Sequence, residues 1–193
     1  DEIFPTKNKL FQQLASRQAP NALFVTCSDS RVVPAVITQT EPGELFIERN
    51  VGNIVPEYDD EPVDASASIE YAVTKLAVSH IIICGHSDCG AMTALLNPDS
   101  LGSMPAVGRW LRYSETALRR AERLFESGDR REELQLLIRQ NVIVQMENLM
   151  THPAVQRGVA AGQLRIHGWV YEIEHGRLWA YEPESRDFLP WPA

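Results

Sequence analysis

Two short segments carry the residues best suited to chemistry: Cys27-Ser28-Asp29-Ser30-Arg31 and Cys84-Gly85-His86-Ser87-Asp88-Cys89-Gly90. His86 and Cys89 stand three residues apart, a spacing that on a helix turns both side chains the same way. Cys27 comes well before them and is expected at the end of a neighbouring strand. Two thiolates and one imidazole meeting at one point suit Zn²⁺, with bonds of roughly 2.0–2.3 Å. Three protein donors leave the fourth tetrahedral position to water, whose pKa on a catalytic zinc falls to about 7. A lone buried thiol would be an ordinary small apolar side chain. It is the His-x-x-Cys pair plus a second Cys that raises the metal reading above that. Cys84 lies inside Ile81-Ile82-Ile83-Cys84 and reads as structural. The chain has no Cys-x-x-Cys pair to support thiol redox work.

Asp29 and Arg31 follow Cys27 directly. A guanidinium beside a carboxylate keeps the acid ionised and fixes its direction. Two roles stay open for Asp29: to accept the proton of a metal-bound water as a hydrogen bond, or to become the fourth ligand and close the site. An inconsequential surface ion pair is the plainer alternative. Gly85-x4-Gly90 has the spacing of a phosphate-cradling loop, but Ala91-Met92 stands where Lys and Ser/Thr should follow, so a nucleotide is rejected.

These residues need elements to position them. The 193 residues are 44% hydrophobic and 23% charged, and 18 basic against 26 acidic residues give a net charge of −8. This suits a single domain over 1–193, with a core that needs no disulfide staples. An acidic chain argues against nucleic acid, and no apolar run reaches the length of a membrane span. No signal peptide is visible, and three cysteines suit a reducing, cytoplasmic setting.

Thr6 is placed to cap a first helix carrying Leu10, Phe11 and Leu14. Ala22 to Cys27 reads as a buried strand, and Pro34 opens a short helix to Ile37. Glu44 to Glu48 reads as a second strand, followed by a loop from Arg49 to Asn53. Asp64 is expected to cap a helix to Leu76 with Ile69, Ala72, Val73 and Leu76 inward. His80 to Cys84 is the clearest strand, and the turn from Gly85 to Gly90 feeds a helix through Leu96. Residues 104–127 read as polar helices. The seven arginines between Arg109 and Arg131 face six acids between Glu115 and Glu133, which reads as a solvated, ion-paired face rather than a basic stripe. Glu132 to Met150 is predicted as a buried or interface helix, apolar around most of its surface. Leu164 to Ile173 and Leu178 to Tyr181 are predicted strands joined at His175-Gly176. The fold expected is α/β: a mostly parallel sheet of four core strands flanked by helices, with an antiparallel edge strand and an N-terminal helical arm. In such sheets, sites form at the carboxyl ends of the strands.

Taken together, the two chemistry-bearing segments resemble those of the β-class carbonic anhydrases. Glu41-Pro42-Gly43-Glu44-Leu45-Phe46, Arg49-Asn50-Val51-Gly52-Asn53 and His167-Gly168-Trp169-Val170-Tyr171 are similar to that family's other blocks. Among members, the chain looks closest to bacterial enzymes encoded with cyanate-degrading systems. The resemblance implies Cys27, His86 and Cys89 as zinc ligands, Asp29 and Arg31 as a catalytic dyad, and reversible hydration of CO₂ to bicarbonate by attack of a zinc-bound hydroxide. It also implies a homodimer, often a dimer of dimers, and a substrate pocket lined by Gln18, Val51 and Gly90 together with aromatic residues of the second copy, whose positions Phe46 and Tyr71 occupy. Some bicarbonate-regulated members carry Trp where this chain has Phe24, and some plant members carry a His where it has Lys75. A structural zinc protein closed by Asp29, or an enzyme acting on a CO₂ analogue such as carbon disulfide, remain the rival readings.

Overall fold

The computed structural model describes residues 6–59, 64–126 and 128–191. Six strands form one sheet in the order β2-β1-β3-β4-β5-β6. They are β1 (Ala22–Cys27), β2 (Leu45–Asn50), β3 (His80–His86), β4 (Arg165–Glu172), β5 (Arg177–Glu182) and β6 (Asp187–Trp191). The first four in this spatial order run parallel, and β5 and β6 are added antiparallel. Strands β1 and β3 are apolar on both faces, as central strands of a covered parallel sheet must be.

The α/β fold is as expected, with one strand more. Sequence reading stops the sheet at an edge strand near Tyr181 and misses β6. Pro190 hides it, since proline breaks a strand pattern yet is tolerated at a sheet edge. There it pairs opposite Trp179.

The helices are α1 (Asn8–Leu14), α2 (Pro34–Thr38), α3 (Asp64–Glu70), α4 (Gly90–Leu96), α5 (Pro105–Leu111), α6 (Glu115–Glu122), α7 (Arg130–Leu149) and α8 (Pro153–Ala160). The cap position of α1 is Lys7, not Thr6. In this arm Leu14 packs over Gly43, which has no Cβ to obstruct it. Asp64 is the first residue of α3, and the side chain expected to cap it lies outside what is described. From Tyr71 to Lys75 the helix widens to a π turn, with Leu76 N–H reaching back to Tyr71 O and Val78 N–H to Ala72 O. Ile69 and Ala72 are buried, and Val73 and Leu76 pack against the core.

Four arginines of this stretch are ion-paired, two with acids of the stretch itself and two with acids beyond it. Arg119 meets Glu115, Arg120 makes a two-pronged bond to Glu147, Arg130 meets Glu133 and Arg131 meets Glu174. No helix among the described residues is long and apolar enough to cross a membrane.

Helix α7 departs from its expected apolar character. Asn141, Gln145 and Asn148 are buried on it along one stripe. Asn141 Nδ2 donates to Gly52 O (3.0 Å), Gln145 Oε1 accepts from Val55 N–H (2.8 Å) and Asn148 Nδ2 donates to Val55 O (2.8 Å). These amides supply a non-helical segment with the partners its buried backbone would otherwise lack.

The same helix seats closely on the sheet. A Cβ built on Gly168 of β4 would stand 2.4 Å from Met146 Sδ and 2.9 Å from Val142 Cγ1. The Met tip can yield, but the β-branched valine on a helix cannot turn away. Gly168→Ala is therefore expected to cost about 1–3 kcal/mol, the range for overpacking. Chemical denaturation of the two proteins would show it as a lowered midpoint, and an unchanged midpoint would mean that α7 can slide.

Candidate metal centre

Parallel strands bring their carboxyl ends to one edge of the sheet. Cys27 ends β1 opposite Asn50 at the end of β2, and His86 ends β3 beside it. Cys89 is the N-cap residue of α4. The spacing of His86 and Cys89 therefore works differently from the helical face expected. The two sit on either side of a tight turn, made possible by Asp88 in the left-handed region (φ 54°). The ligand atoms of Cys27, His86 and Cys89 all lie within 4.8 Å of one another, and all three residues are buried.

These donors fit a metal ion. His86 Nδ1 lies 2.9 Å from the carbonyl of Ser87, and a carbonyl only accepts, so Nδ1 carries the proton. Nε2 is then a bare lone pair, buried, with no hydrogen-bond partner among the described residues. A buried unpaired nitrogen is costly, and an electrophile between the three ligand atoms satisfies it. Ser87 is itself fixed, donating N–H to Tyr171 O (2.9 Å) and accepting from Ile173 N–H (3.0 Å).

The sulfurs sit among donors. The bond from the Cys89 thiol holds the Cys27 thiol down to about 4 against the opposing effect of burial, helped by Gly52 N–H at 3.4 Å. Cys89 is raised correspondingly, because it keeps the proton of the pair and is buried, while the backbone of Met92 and Ala91 works the other way. Cys84 behaves as the structural thiol it reads as. It packs with Ala22, Phe24 and Ile82 in a separate cluster, and burial pushes its thiol up to about 12.

Asp29 lies beside the cluster, its Oδ2 at 3.9 Å from His86 Nε2. Arg31 grips it with two bonds, Nε to Oδ1 (2.9 Å) and Nη2 to Oδ2 (2.8 Å), and adds its own N–H to Oδ1. That clamp holds the carboxyl well below the usual carboxylate range. Arg31 also donates to Asp88 O (3.2 Å), tying the dyad to the turn between the ligands.

The other expected site residues divide. Phe46 and Tyr71 meet with ring centroids 5.9 Å apart. Val51 precedes Gly52, and Gly90 follows Cys89 with open space where a Cβ would stand. Tyr71 and Val51 are 45% and 40% exposed in the single chain. Gln18 is exposed, and no hydrogen bond among the described residues joins it to the cluster.

Arg49 was missed by sequence reasoning. Its guanidinium donates to Cys27 O (3.0 Å) and Asp29 O (2.7 Å), and so holds the chain that carries both residues. A cation ending the strand beside that of Cys27 was the available signal.

A sequence profile described as carbonic anhydrase matches residues 22–178. The chain is 51% identical over 188 residues to a carbonic anhydrase of Pseudomonas aeruginosa, across 97% of this chain and 85% of that protein. It superposes on the β-carbonic anhydrase CcaA with a TM-score of 0.93 at 39% identity, covering 98% of this chain and 93% of the other. It is also similar to a chain from the structures of two tetrameric β-carbonic anhydrases of the filamentous ascomycete Sordaria macrospora. There the TM-score is 0.83 at 33% identity, with 92% and 88% covered.

Proposed function

Since the chain belongs to the β-class carbonic anhydrase family, we propose that residues 1–193 form one catalytic domain that uses Zn²⁺ on Cys27, His86 and Cys89 to hydrate CO₂ reversibly to bicarbonate and a proton. The reading rests on one observation: the bare, buried Nε2 of His86 shares a site with two cysteine sulfurs, with an ionised carboxylate at its side. Zinc on these donors supplies a Lewis acid and lowers the pKa of a bound water to about 7.

The chain's own residues do the rest. Asp29, ionised throughout the working range, is an acceptor only. It takes a hydrogen bond from the attacking water and so turns an oxygen lone pair towards the substrate, while the proton set free passes to buffer in the solvent. Arg31 occupies both carboxylate oxygens, which favours Asp29 as an orienting group rather than a fourth ligand. CO₂ is small and apolar, so its affinity comes from a dry, shaped pocket. Gln18, Phe46, Val51, Tyr71 and Gly90 are its walls, with Gln18 offering the carboxamide for a substrate oxygen.

The exposure of Val51 and Tyr71 in one chain supports a homodimer in which a second copy covers this rim. A further pairing of dimers follows the tetrameric relatives. Three cysteines without a disulfide support a reducing, cytoplasmic setting.

Stopped-flow CO₂ hydration tests the proposal. Activity is expected to fall at least about 100-fold when a chelator removes the metal, in keeping with the metal supplying several kcal/mol of transition-state stabilisation. One equivalent of zinc per chain should restore it. Full activity in metal-free protein would overturn the reading.

A further inference from the structure

We propose that Trp110 is a positioning residue for the metal centre: its indole N–H fixes the peptide plane that aims Gly52 N–H at the sulfur of Cys27. The inference rests on the metal reading of Cys27, His86 and Cys89. Trp110 lies on α5, outside both chemistry-bearing segments, and its Nε1 donates to the carbonyl of Val51 at 2.7 Å. That carbonyl and Gly52 N–H belong to one rigid peptide, in which C=O and N–H point opposite ways. Holding the oxygen towards Trp110 therefore sends the N–H to the other side, where it meets Cys27 Sγ at 3.4 Å.

The plane needs holding. A peptide flips by changing ψ of its first residue and φ of its second, and glycine accepts φ of either sign at little cost. Gly52 stands at φ +87°. Flipped, the plane would present a carbonyl oxygen to a thiolate in place of a donor. A stiffer residue cannot replace the glycine. A Cβ there would stand 3.1 Å from Ala91 Cβ and 3.2 Å from Met92 Cε, the residues that follow Cys89 and Gly90 on α4. Space at the site demands glycine, and glycine leaves the plane loose, so the orientation is set from outside.

Trp110 is built to set it. Its ring is braced edge-on by Tyr113 at 5.5 Å. On the other side of Gly52, Asn141 Nδ2 holds the next carbonyl, and Asn141 is itself held by Ser114 Oγ and Gln145 Nε2. With both neighbouring carbonyls fixed, the N–H between them is pinned on the sulfur. Donors at a ligand atom tune its strength towards the metal.

The test uses the full chain loaded with Co²⁺, whose thiolate charge-transfer band reports on the sulfurs. Trp110→Phe removes the N–H, and replacement of Trp110 by 3-benzothienylalanine removes it while keeping the bicyclic shape. In both variants the band is expected to move to longer wavelength. Cobalt loss to a chelator should quicken about 10-fold, within the range for losing an outer partner of a ligand. A fall in Tm with band and metal loss unchanged in the benzothienyl protein would show a purely structural tryptophan and overturn the proposal. Wild-type protein that develops no thiolate–cobalt band would instead overturn the metal reading beneath it.

Discussion

Cys27→Ser and His86→Ala proteins will purify without zinc. Losing even an outer-shell partner typically costs a metal site about 10–100-fold in affinity, and here a bonding atom itself is removed. A serine hydroxyl does not ionise near neutrality, so Cys27→Ser exchanges a soft sulfur donor for a neutral oxygen. His86→Ala deletes a fully buried ring whose Nε2 has no other employment among the described residues. Cys84→Ala is the control, since its sulfur belongs to a different cluster and should leave the metal content at that of the wild type. Elemental analysis of folded, dialysed protein decides the matter. An equimolar zinc content in either ligand variant would strike that residue from the set.

Asp29→Asn should keep its zinc and lose most of its turnover, by about 10²–10⁴-fold, the range for a positioned acid–base group. The amide is nearly isosteric but offers one acceptor instead of two. Arg31 brings two N–H donors to the Asp29 carboxylate, so a carboxamide there must turn an NH₂ either on the guanidinium or on the substrate water. Stopped-flow rates beside metal content separate this outcome from loss of the ion. Wild-type turnover in a zinc-replete Asp29→Asn protein would remove the dyad from the mechanism. The pair also leaves a signature in stability. The folded carboxyl lies below its unfolded range, so its contribution is complete above the unfolded value of about 3.9, fades as pH falls below that value and is gone once acid titrates the folded form.

The parts of this centre that lie close in sequence were legible, and those assembled across the fold were not. Cys27, Asp29 and Arg31 fall within one pentapeptide, and His86 and Cys89 within one turn. Both segments follow apolar runs that read as strands, so parallel pairing alone brings them together. Their relation was nonetheless misjudged, because a three-residue spacing fits a tight turn with one left-handed residue as well as it fits a helix. Trp110 gave no local signal at all. Its partner is a backbone carbonyl 59 residues away, and a backbone group has no sequence identity to be read. Asn141, Gln145 and Asn148 were passed over for the same reason. Spacing shows that they share a helix face, but only the fold shows that the face meets unpaired peptides rather than water.

The wide helical turn at Tyr71–Lys75 also limits how this chain can change length. A π turn holds one residue more than the regular repeat. Excising that residue would let the helix tighten to the regular repeat, whereas each residue added there rotates what lies on one side of it by about 100° relative to the other. Ile69, on the upstream side, is fully buried, while Ala72 downstream is packed into the same core. A one-residue insertion there would thus force a choice between keeping Ile69 inside and keeping Ala72 inside. The segment can vary in side chains far more readily than in the number of its residues.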